Sequence, residues 1–126
     1  MDTPATLGCP VARTAEIIGN KWTPLIVRDL ARGCRRFGEL ERSLAGISPK
    51  TLSERLKRLE EAEVIARACF AEVPPRVEYS LTGKGHALLP VIESMRAFGI
   101  TWLATESCEV DEPPVPVSPG AAAAIS

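Results

Sequence analysis

Cationic and hydroxyl side chains are concentrated in one short stretch of the chain, residues 47–64. Lysine and arginine neutralise phosphates and donate to guanine, and serine and threonine hydroxyls also reach base edges. This is the chemistry needed to bind duplex DNA through its major groove. With one arginine upstream and one downstream, the candidate DNA-binding residues are Arg36, Ser48, Lys50, Thr51, Ser53, Arg55, Lys57, Arg58 and Arg76.

The stretch that carries these residues has the pattern of an amphipathic helix. Ser48 is suited to the N-cap position, and Pro49 to the first helical position, where no backbone N–H is needed. Leu52, Leu56 and Leu59 then recur at i, i+4 and i+7, so they form one narrow apolar stripe. Most of the cationic side chains point away from this stripe. Taken alone, the same pattern also fits an ordinary solvated helix.

Roles within the helix follow from position and side-chain type. We expect its N-terminal half to lie nearest the bases, with Lys50, Thr51 and Arg55 as the first candidates for base contacts. The cations expected to meet phosphates are Lys57, Arg58 and Arg36.

Three further helices are predicted before this one. The first, Pro10–Gly19, is expected to end in a left-handed cap at Gly19-Asn20. The second, Lys21–Ala31, contributes Trp22, Leu25, Ile26 and Leu30 to the core. The third is brief, Arg36–Ala45, and a glycine-bearing turn joins it to the cap at Ser48. Two short helices joined in this way predict a helix-turn-helix.

Two strands are predicted after it, Val64–Phe70 and Val77–Leu81, with a hairpin tip at Ala71–Arg76 because a diproline cannot lie in a central strand. Arg76 at the tip is expected to reach an adjacent minor groove or phosphate. Thr82 is expected to cap a last long helix, kinked or broken at its start by Pro90. The predicted fold class is α+β, mostly α: a winged helix-turn-helix with a two-stranded wing and a long C-terminal dimerisation helix.

The apolar residues of the last helix occupy more than one stripe, more than a small domain covers by itself. We therefore expect a homodimer, although packing within one domain is the alternative. The residues predicted for its interface are Val11, Ile18, Val91, Met95, Phe98 and Trp102.

Charge is unevenly distributed along the 126 residues, whose formal net charge is −1. Residues 13–86 hold 14 Lys or Arg against 10 Asp or Glu, a balance that suits a DNA partner. We predict three regions: a flexible N-terminus at 1–8, a DNA-binding domain with its dimerisation helices at 9–105, and a disordered acidic Pro/Ala-rich tail at 106–126.

Other function classes receive little support from the sequence. The four cysteines are widely spaced and His86 is the one histidine, so neither a zinc site nor a disulfide framework is predicted. No catalytic constellation, cofactor motif or membrane span is present, so we expect a cytoplasmic, reduced, non-enzymatic protein. Cys34 and Cys69 are interpreted as core or turn residues, and Cys108 lies beside the predicted tail. A winged helix that binds only proteins is the alternative function.

Several motifs in the same order resemble the HxlR-type family of bacterial transcriptional regulators, which are MarR-like dimers. They include Cys9-Pro10-Val11, Gly19-Asn20-Lys21-Trp22-Thr23, Arg28-Asp29-Leu30, Arg36-Phe37-Gly38-Glu39-Leu40, Ile47-Ser48, Thr51-Leu52-Ser53-Glu54-Arg55-Leu56, Leu59-Glu60 and Pro74-Pro75-Arg76-Val77-Glu78-Tyr79-Ser80-Leu81-Thr82. The resemblance runs from about Cys9 to Leu103. Two departures are Thr82-Gly83-Lys84-Gly85, in place of a Thr-Pro-x-Gly-like turn, and the acidic tail.

The resemblance implies a winged-helix homodimer that binds inverted-repeat operator DNA as a repressor or activator; a small-molecule effector stays unknown. Some members of that family that respond to thiol-reactive compounds use a cysteine in a position similar to Cys9. Cys9 precedes the first helix, whose dipole and N–H groups would favour the thiolate. Redox or electrophile sensing through Cys9 is therefore one interpretation, and a small apolar residue at an interface is the other.

Overall fold

The computed structural model describes residues 8–103, and within them it contains six helices and two strands. The predicted tail at 106–126 and all but the last residue of the predicted N-terminus at 1–8 lie outside the described residues. In chain order the elements are α1 (Pro10–Ile18), α2 (Trp22–Ala31), α3 (Phe37–Ser43), α4 (Pro49–Glu61), β1 (Ile65–Phe70), β2 (Arg76–Leu81), α5 (Gly83–Ala87) and α6 (Leu89–Trp102).

The order and types of these elements confirm the predicted winged helix-turn-helix. Helices α3 and α4 are joined by a short turn through Gly46, whose φ of +93° suits glycine. Strands β1 and β2 pair antiparallel, from Ile65 opposite Leu81 to Phe70 opposite Arg76, and form the wing. The last long helix is present as α6.

The core of the unit that ends at His86 is assembled from these helices and the base of the wing. Most of its buried side chains come from α2 and α4, with Leu40 from α3 and Ile65 from β1, whereas α1 and β2 have none. Such burial is worth about 1.5–3 kcal/mol per large aliphatic residue. The largest apolar side chains with no more than 2% exposure are Ile26, Leu40, Leu52, Leu56 and Ile65. Trp22 and Leu25, also predicted for the core, are only half-buried.

The predicted left-handed cap at Gly19-Asn20 is wrong. Gly19 has a φ of −81°, and Asn20 is not among the residues with positive φ. Glycine is needed at 19 because a Cβ there would collide with the carbonyl oxygen of Ala15. Asn20 serves the next helix instead: its side-chain oxygen accepts the N–H groups of Trp22 at 3.0 Å and Thr23 at 2.9 Å. The pair therefore starts α2 rather than closing α1.

The region around Pro90 is broken, as the sequence predicts. Helix α5 is one short segment, and α6 begins after an interruption at Leu88. The Thr82 hydroxyl accepts the N–H of Gly85 at 3.0 Å, so Thr82 caps the short helix α5 and not the long helix that it was predicted to cap. The chain divides into two compact units after His86, so α6 belongs to the second unit.

Candidate nucleic-acid interface

Helix α4 begins with the cap that its sequence predicts. Ser48 has an extended backbone, and its hydroxyl oxygen accepts the N–H of Thr51 at 3.1 Å. The same hydroxyl donates to the Thr51 hydroxyl oxygen at 2.9 Å, and Pro49 is the first helical residue. Because Thr51 accepts this bond, its own hydroxyl proton and its methyl group stay available to a partner outside the chain.

Burial along α4 separates its two sides. Leu52, Leu56 and Leu59 are 0%, 2% and 3% exposed, so the predicted apolar stripe is anchored in the core. The polar residues lie on the solvent side: Lys50, Ser53, Lys57 and Arg58 are exposed, and Thr51 and Arg55 are half-buried. The helix is therefore held by its leucines and presents its cations outward, which is the geometry that a recognition helix requires.

The outward cations of α4 are not neutralised by neighbouring acids. Within residues 8–103, no ion pair involves Lys50, Arg55, Lys57 or Arg58, although Glu54 lies on the same side of the helix. Charges left without a protein partner are the ones that can replace the counterions of a phosphate backbone. This positive, unpaired face is the strongest candidate site among the described residues.

The two flanks of α4 have different neighbours. On one flank, Arg55 and Arg58 line a cavity together with residues of α1 and α2. On the other flank, Arg67 of β1 lies near Glu60. The pKa of the Arg67 guanidinium is raised, chiefly by the Tyr79 side chain, its partner across the wing, and least by the charge of Glu60. Arg67 is exposed and cationic, and the sequence analysis missed it because β-strand alternation gives no sign of charge availability.

Arg76 is not at the wing tip. It is the first residue of β2, and the turn comprises the residues before it. Its guanidinium lies 3.2 Å from Glu72 and 3.4 Å from Glu78, and 4.2 Å above the ring of Phe70. Two carboxylates and an aromatic ring therefore hold this arginine against the wing, which reduces the charge that it offers to DNA.

Arg36 is exposed at the start of α3, where the sequence analysis placed a phosphate contact. The Glu39 carboxylate fixes this corner because it accepts the N–H groups of Arg35 at 2.7 Å and Arg36 at 3.0 Å. These two bonds hold the pKa of Glu39 below its usual value. The carbonyl oxygen of Arg35 accepts the N–H of Tyr79 at 2.8 Å, so the same corner is tied to the wing.

Asp29 sets the angle between α2 and α3, a role that sequence reasoning did not assign. It is fully buried, and its carboxylate accepts the Ser43 hydroxyl at 2.6 Å and the Arg28 guanidinium at 3.0 Å. A buried carboxylate is tolerated when it is satisfied in this way. The Asp29–Ser43 bond crosses between helices, so it positions α3 and, through the following turn, α4.

The three described cysteines are free. Cys9 is half-buried at the N-cap of α1, and its side chain makes no capping hydrogen bond. Burial, with the charges of Asp29 and Glu39 nearby, raises the pKa of Cys34, which makes it less reactive. Cys69 is exposed in β1, so its interpretation as a core or turn residue is wrong. Cys108 lies outside the described residues.

The side chains predicted for a dimer interface are mostly open to solvent in the single chain. Val11 on α1 is 77% exposed, and on α6 the exposed fractions of Met95, Phe98 and Trp102 are 44%, 58% and 71%. Ile18 and Val91 are half-buried. Several large exposed apolar side chains on one helix, as on α6, are typical of a surface that meets another protein.

Residues 8–103 hold neither a metal-ligand cluster nor a helix that could span a membrane. No group of three or more histidine, cysteine or acidic side chains is placed to hold a metal ion there. No helix in the described part of the chain is both long and apolar enough to cross a bilayer.

Residues 17–107 match the model of the HxlR-like helix-turn-helix family. Among curated relatives, an uncharacterised HTH-type transcriptional regulator of Synechocystis, sll1512, is 46% identical over 101 residues, covering 80% of this chain and 75% of the relative. The HTH-type transcriptional regulator YodB of Bacillus subtilis is 41% identical over 91 residues, covering 71% of this chain and 81% of the relative.

Solved structures share the fold. PA1607, a putative transcription factor, is 34% identical with a TM-score of 0.74, covering 89% of this chain and 82% of its own. The redox regulator HypR in its oxidized form is 35% identical with a TM-score of 0.70, and the match covers 74% of this chain and 96% of the HypR chain. Diamide-treated YodB from B. subtilis is 39% identical with a TM-score of 0.64, and the match covers 75% of this chain and 94% of the YodB chain.

Proposed function

The chain belongs to the HxlR-like helix-turn-helix family and is a transcriptional regulator rather than an enzyme; we propose that it binds operator DNA in the cytoplasm as a homodimer and represses by occluding a promoter. The observation that carries this proposal is the unpaired cationic face of α4, which is anchored by three buried leucines. A face of this kind supplies both phosphate charges and base-edge donors.

In this proposal α4 lies in the major groove with its N-terminal half nearest the bases. Lys50, Thr51 and Arg55 contact base edges, and the Thr51 methyl and hydroxyl proton are both free to do so. Residues proposed to contact the backbone, or to support the helix start, are Arg36, Ser48, Ser53, Lys57 and Arg58. Residues 71–76, the turn of the wing and the first residue of β2, lie on the flanking minor groove or backbone, with Arg76 contributing less charge because it is ion-paired.

Binding to random duplex DNA at low salt tests the proposal directly. We expect measurable affinity that falls steeply as salt rises, because neutralised phosphates release counterions. A protein-interaction module would show no such binding. That alternative is also disfavoured by the outward side of α4, which carries cations rather than the apolar residues a protein partner would need.

The homodimer is proposed from the exposed apolar side chains of α1 and α6. Isologous pairing would bury Val11, Ile18, Val91, Met95, Phe98 and Trp102 and would present two copies of α4 about 34–36 Å apart. The target is then an inverted repeat. Sedimentation at increasing concentration and footprinting on selected genomic fragments test this, and protection of a single asymmetric half-site by a monomer would contradict it.

Thiol-based control through Cys9 is proposed on two supports. Cys9 is partly accessible at the start of α1, and two proteins of similar structure are the redox regulator HypR in its oxidized form and YodB treated with diamide. Reaction of the Cys9 thiol with an oxidant or electrophile would alter DNA affinity. Diamide should change operator binding in the native chain and in Cys69→Ser, but not in Cys9→Ser; an unchanged response in Cys9→Ser would exclude this role.

A further inference from the structure

The sequence after the last described residue carries negative side-chain charge and no positive one. Residues 104–126 contain four acids and no lysine or arginine, and the acids lie within seven positions: Glu106, Glu109, Asp111 and Glu112. Residues 8–103, in contrast, hold 15 Lys or Arg against 11 Asp or Glu. The family match ends at residue 107, so three of the four acids lie beyond it. The acidic segment, residues 106–112, is therefore a feature that family membership does not explain.

Helix α4 carries the densest group of unpaired cations among the described residues. Its four cations lie within nine positions, and none has an ion pair within residues 8–103. Elsewhere, Arg28, Arg76 and Arg96 are each held by a carboxylate. An acidic segment therefore gains most at α4, where it displaces no carboxylate, although Glu54 lies on the same side. The cations of α4 are Lys50, Arg55, Lys57 and Arg58.

The lengths of the two segments are compatible with a contact along the whole cationic run. From Lys50 to Arg58 a helix rises about 12 Å, at about 1.5 Å per residue. From Glu106 to Glu112 a chain reaches at most about 20 Å, at about 3.3 Å per residue. The four carboxylates are also spaced more widely than the phosphates of a DNA strand, which follow one another about every 3.4 Å of helix axis. DNA should therefore be able to displace the acidic segment.

We propose that the acidic segment binds the cationic side of α4 in the absence of DNA, where its carboxylates stand in for phosphates. Weak contacts are sufficient, because a segment tethered to its binding site acts at an effective concentration of about millimolar. DNA and the acidic segment then compete, and the apparent affinity for every duplex falls in proportion to the fraction of molecules whose α4 is free. The competition rests on the proposed function; the contact between the acidic segment and α4 does not.

The contact is tested without DNA, by comparing ¹⁵N amide spectra of two full-length chains at low salt. One is the native chain, and the other is the neutralised variant Glu106→Gln/Glu109→Gln/Asp111→Asn/Glu112→Gln. We expect differences at the amides of Lys50, Thr51 and Lys57 that disappear at about 1 M NaCl, where the Debye length is about 3 Å. Spectra that coincide over α4 at low salt would overturn the proposal, because acids that only repel DNA from a distance do not contact the helix.

A matched pair of charge removals locates the contact. Lys57→Gln removes an exposed cation from α4, and Arg42→Gln removes an exposed cation from the last turn of α3. Neither side chain has an ion pair in the described part of the chain. The spectral difference between native and neutralised chains should shrink in the Lys57→Gln background and persist in the Arg42→Gln background. Equal reductions would mean that the acidic segment responds to net charge and not to α4.

The competition is measured by fluorescence anisotropy with a labelled random duplex at low salt. The neutralised variant should bind the duplex severalfold more tightly than the native chain does. This gain should be smaller in the Lys57→Gln background than in the Arg42→Gln background, as a double-mutant cycle would show. If neither the native nor the neutralised chain bound the duplex, the proposed function would be refuted, and the spectra would still decide the contact. Equal affinities of the two chains, despite spectral differences at α4, would refute the competition alone.

Discussion

Helix α4 and the wing both carry arginine, but they make it available to different degrees. On α4, Arg55 and Arg58 have no ion pair within the described residues, whereas on the wing Arg76 contacts two glutamates and an aromatic ring. The helix is anchored by buried leucines, whereas on the wing β1 is exposed after Ile65 and β2 is mostly half-buried. A count of cations therefore overstates what the wing offers to DNA.

The largest expected difference between the two regions is in stability. Leu56 is 2% exposed, so Leu56→Ala should lower the free energy of unfolding by about 2–5 kcal/mol. Phe70 is 37% exposed and chiefly supports Arg76, so Phe70→Ala should cost no more than about 1 kcal/mol. Urea denaturation of both variants measures this. Equal losses would mean that the wing is as firmly packed as α4.

Base preference is expected to depend on α4 alone. Lys50→Gln should change which duplexes are selected from a random pool, with a loss of about 1–3 kcal/mol at the contacted base pair. Lys57→Gln, with the same change of charge, should lower affinity for all duplexes alike. If Lys57→Gln changed base preference as much as Lys50→Gln, the proposed orientation of α4 would be reversed.

The salt dependence of DNA affinity should differ between variants of one arginine from each region. Arg58→Gln should reduce the slope of log affinity against log salt by about one, the value for one phosphate contact. Arg76→Gln should reduce it less, because Glu72 and Glu78 already neutralise that charge. The double variant Glu72→Gln/Glu78→Gln should increase DNA affinity by releasing Arg76. Equal slopes for Arg58→Gln and Arg76→Gln would contradict this difference.

The smallest effect is expected at the start of α3, the corner that is tied to the wing. The pKa of Glu39 is lowered in the folded chain, so its two hydrogen bonds stabilise the fold at pH values above the ordinary glutamate pKa. As the pH falls, the unfolded chain takes up this proton first, and the contribution is lost through the lowered pKa. Glu39→Gln should therefore flatten the loss of stability between about pH 5 and 3, measured by thermal melts against pH. Identical pH profiles for both chains would exclude this contribution.

Local patterns determined most of the elements. The serine cap and leucine spacing of α4 depend on residues within a few positions of one another, so periodicity alone is sufficient to predict them. The same holds for the hairpin with its diproline turn and for the break before α6. The family motifs add the order of the elements, which the family match confirms.

Contacts between residues far apart in the sequence decided how the elements are positioned and which side chains are free. Asp29 meets Ser43 across two helices, and Gly19 is required by a neighbouring carbonyl. Arg76 is neutralised by one glutamate of the turn and one of β2. The availability of a charge depends on which acids the fold brings near it, and a cavity depends on where three helices fail to meet. The sequence by itself therefore determined which residues could contact DNA, and the tertiary structure decided which of them are free to do so.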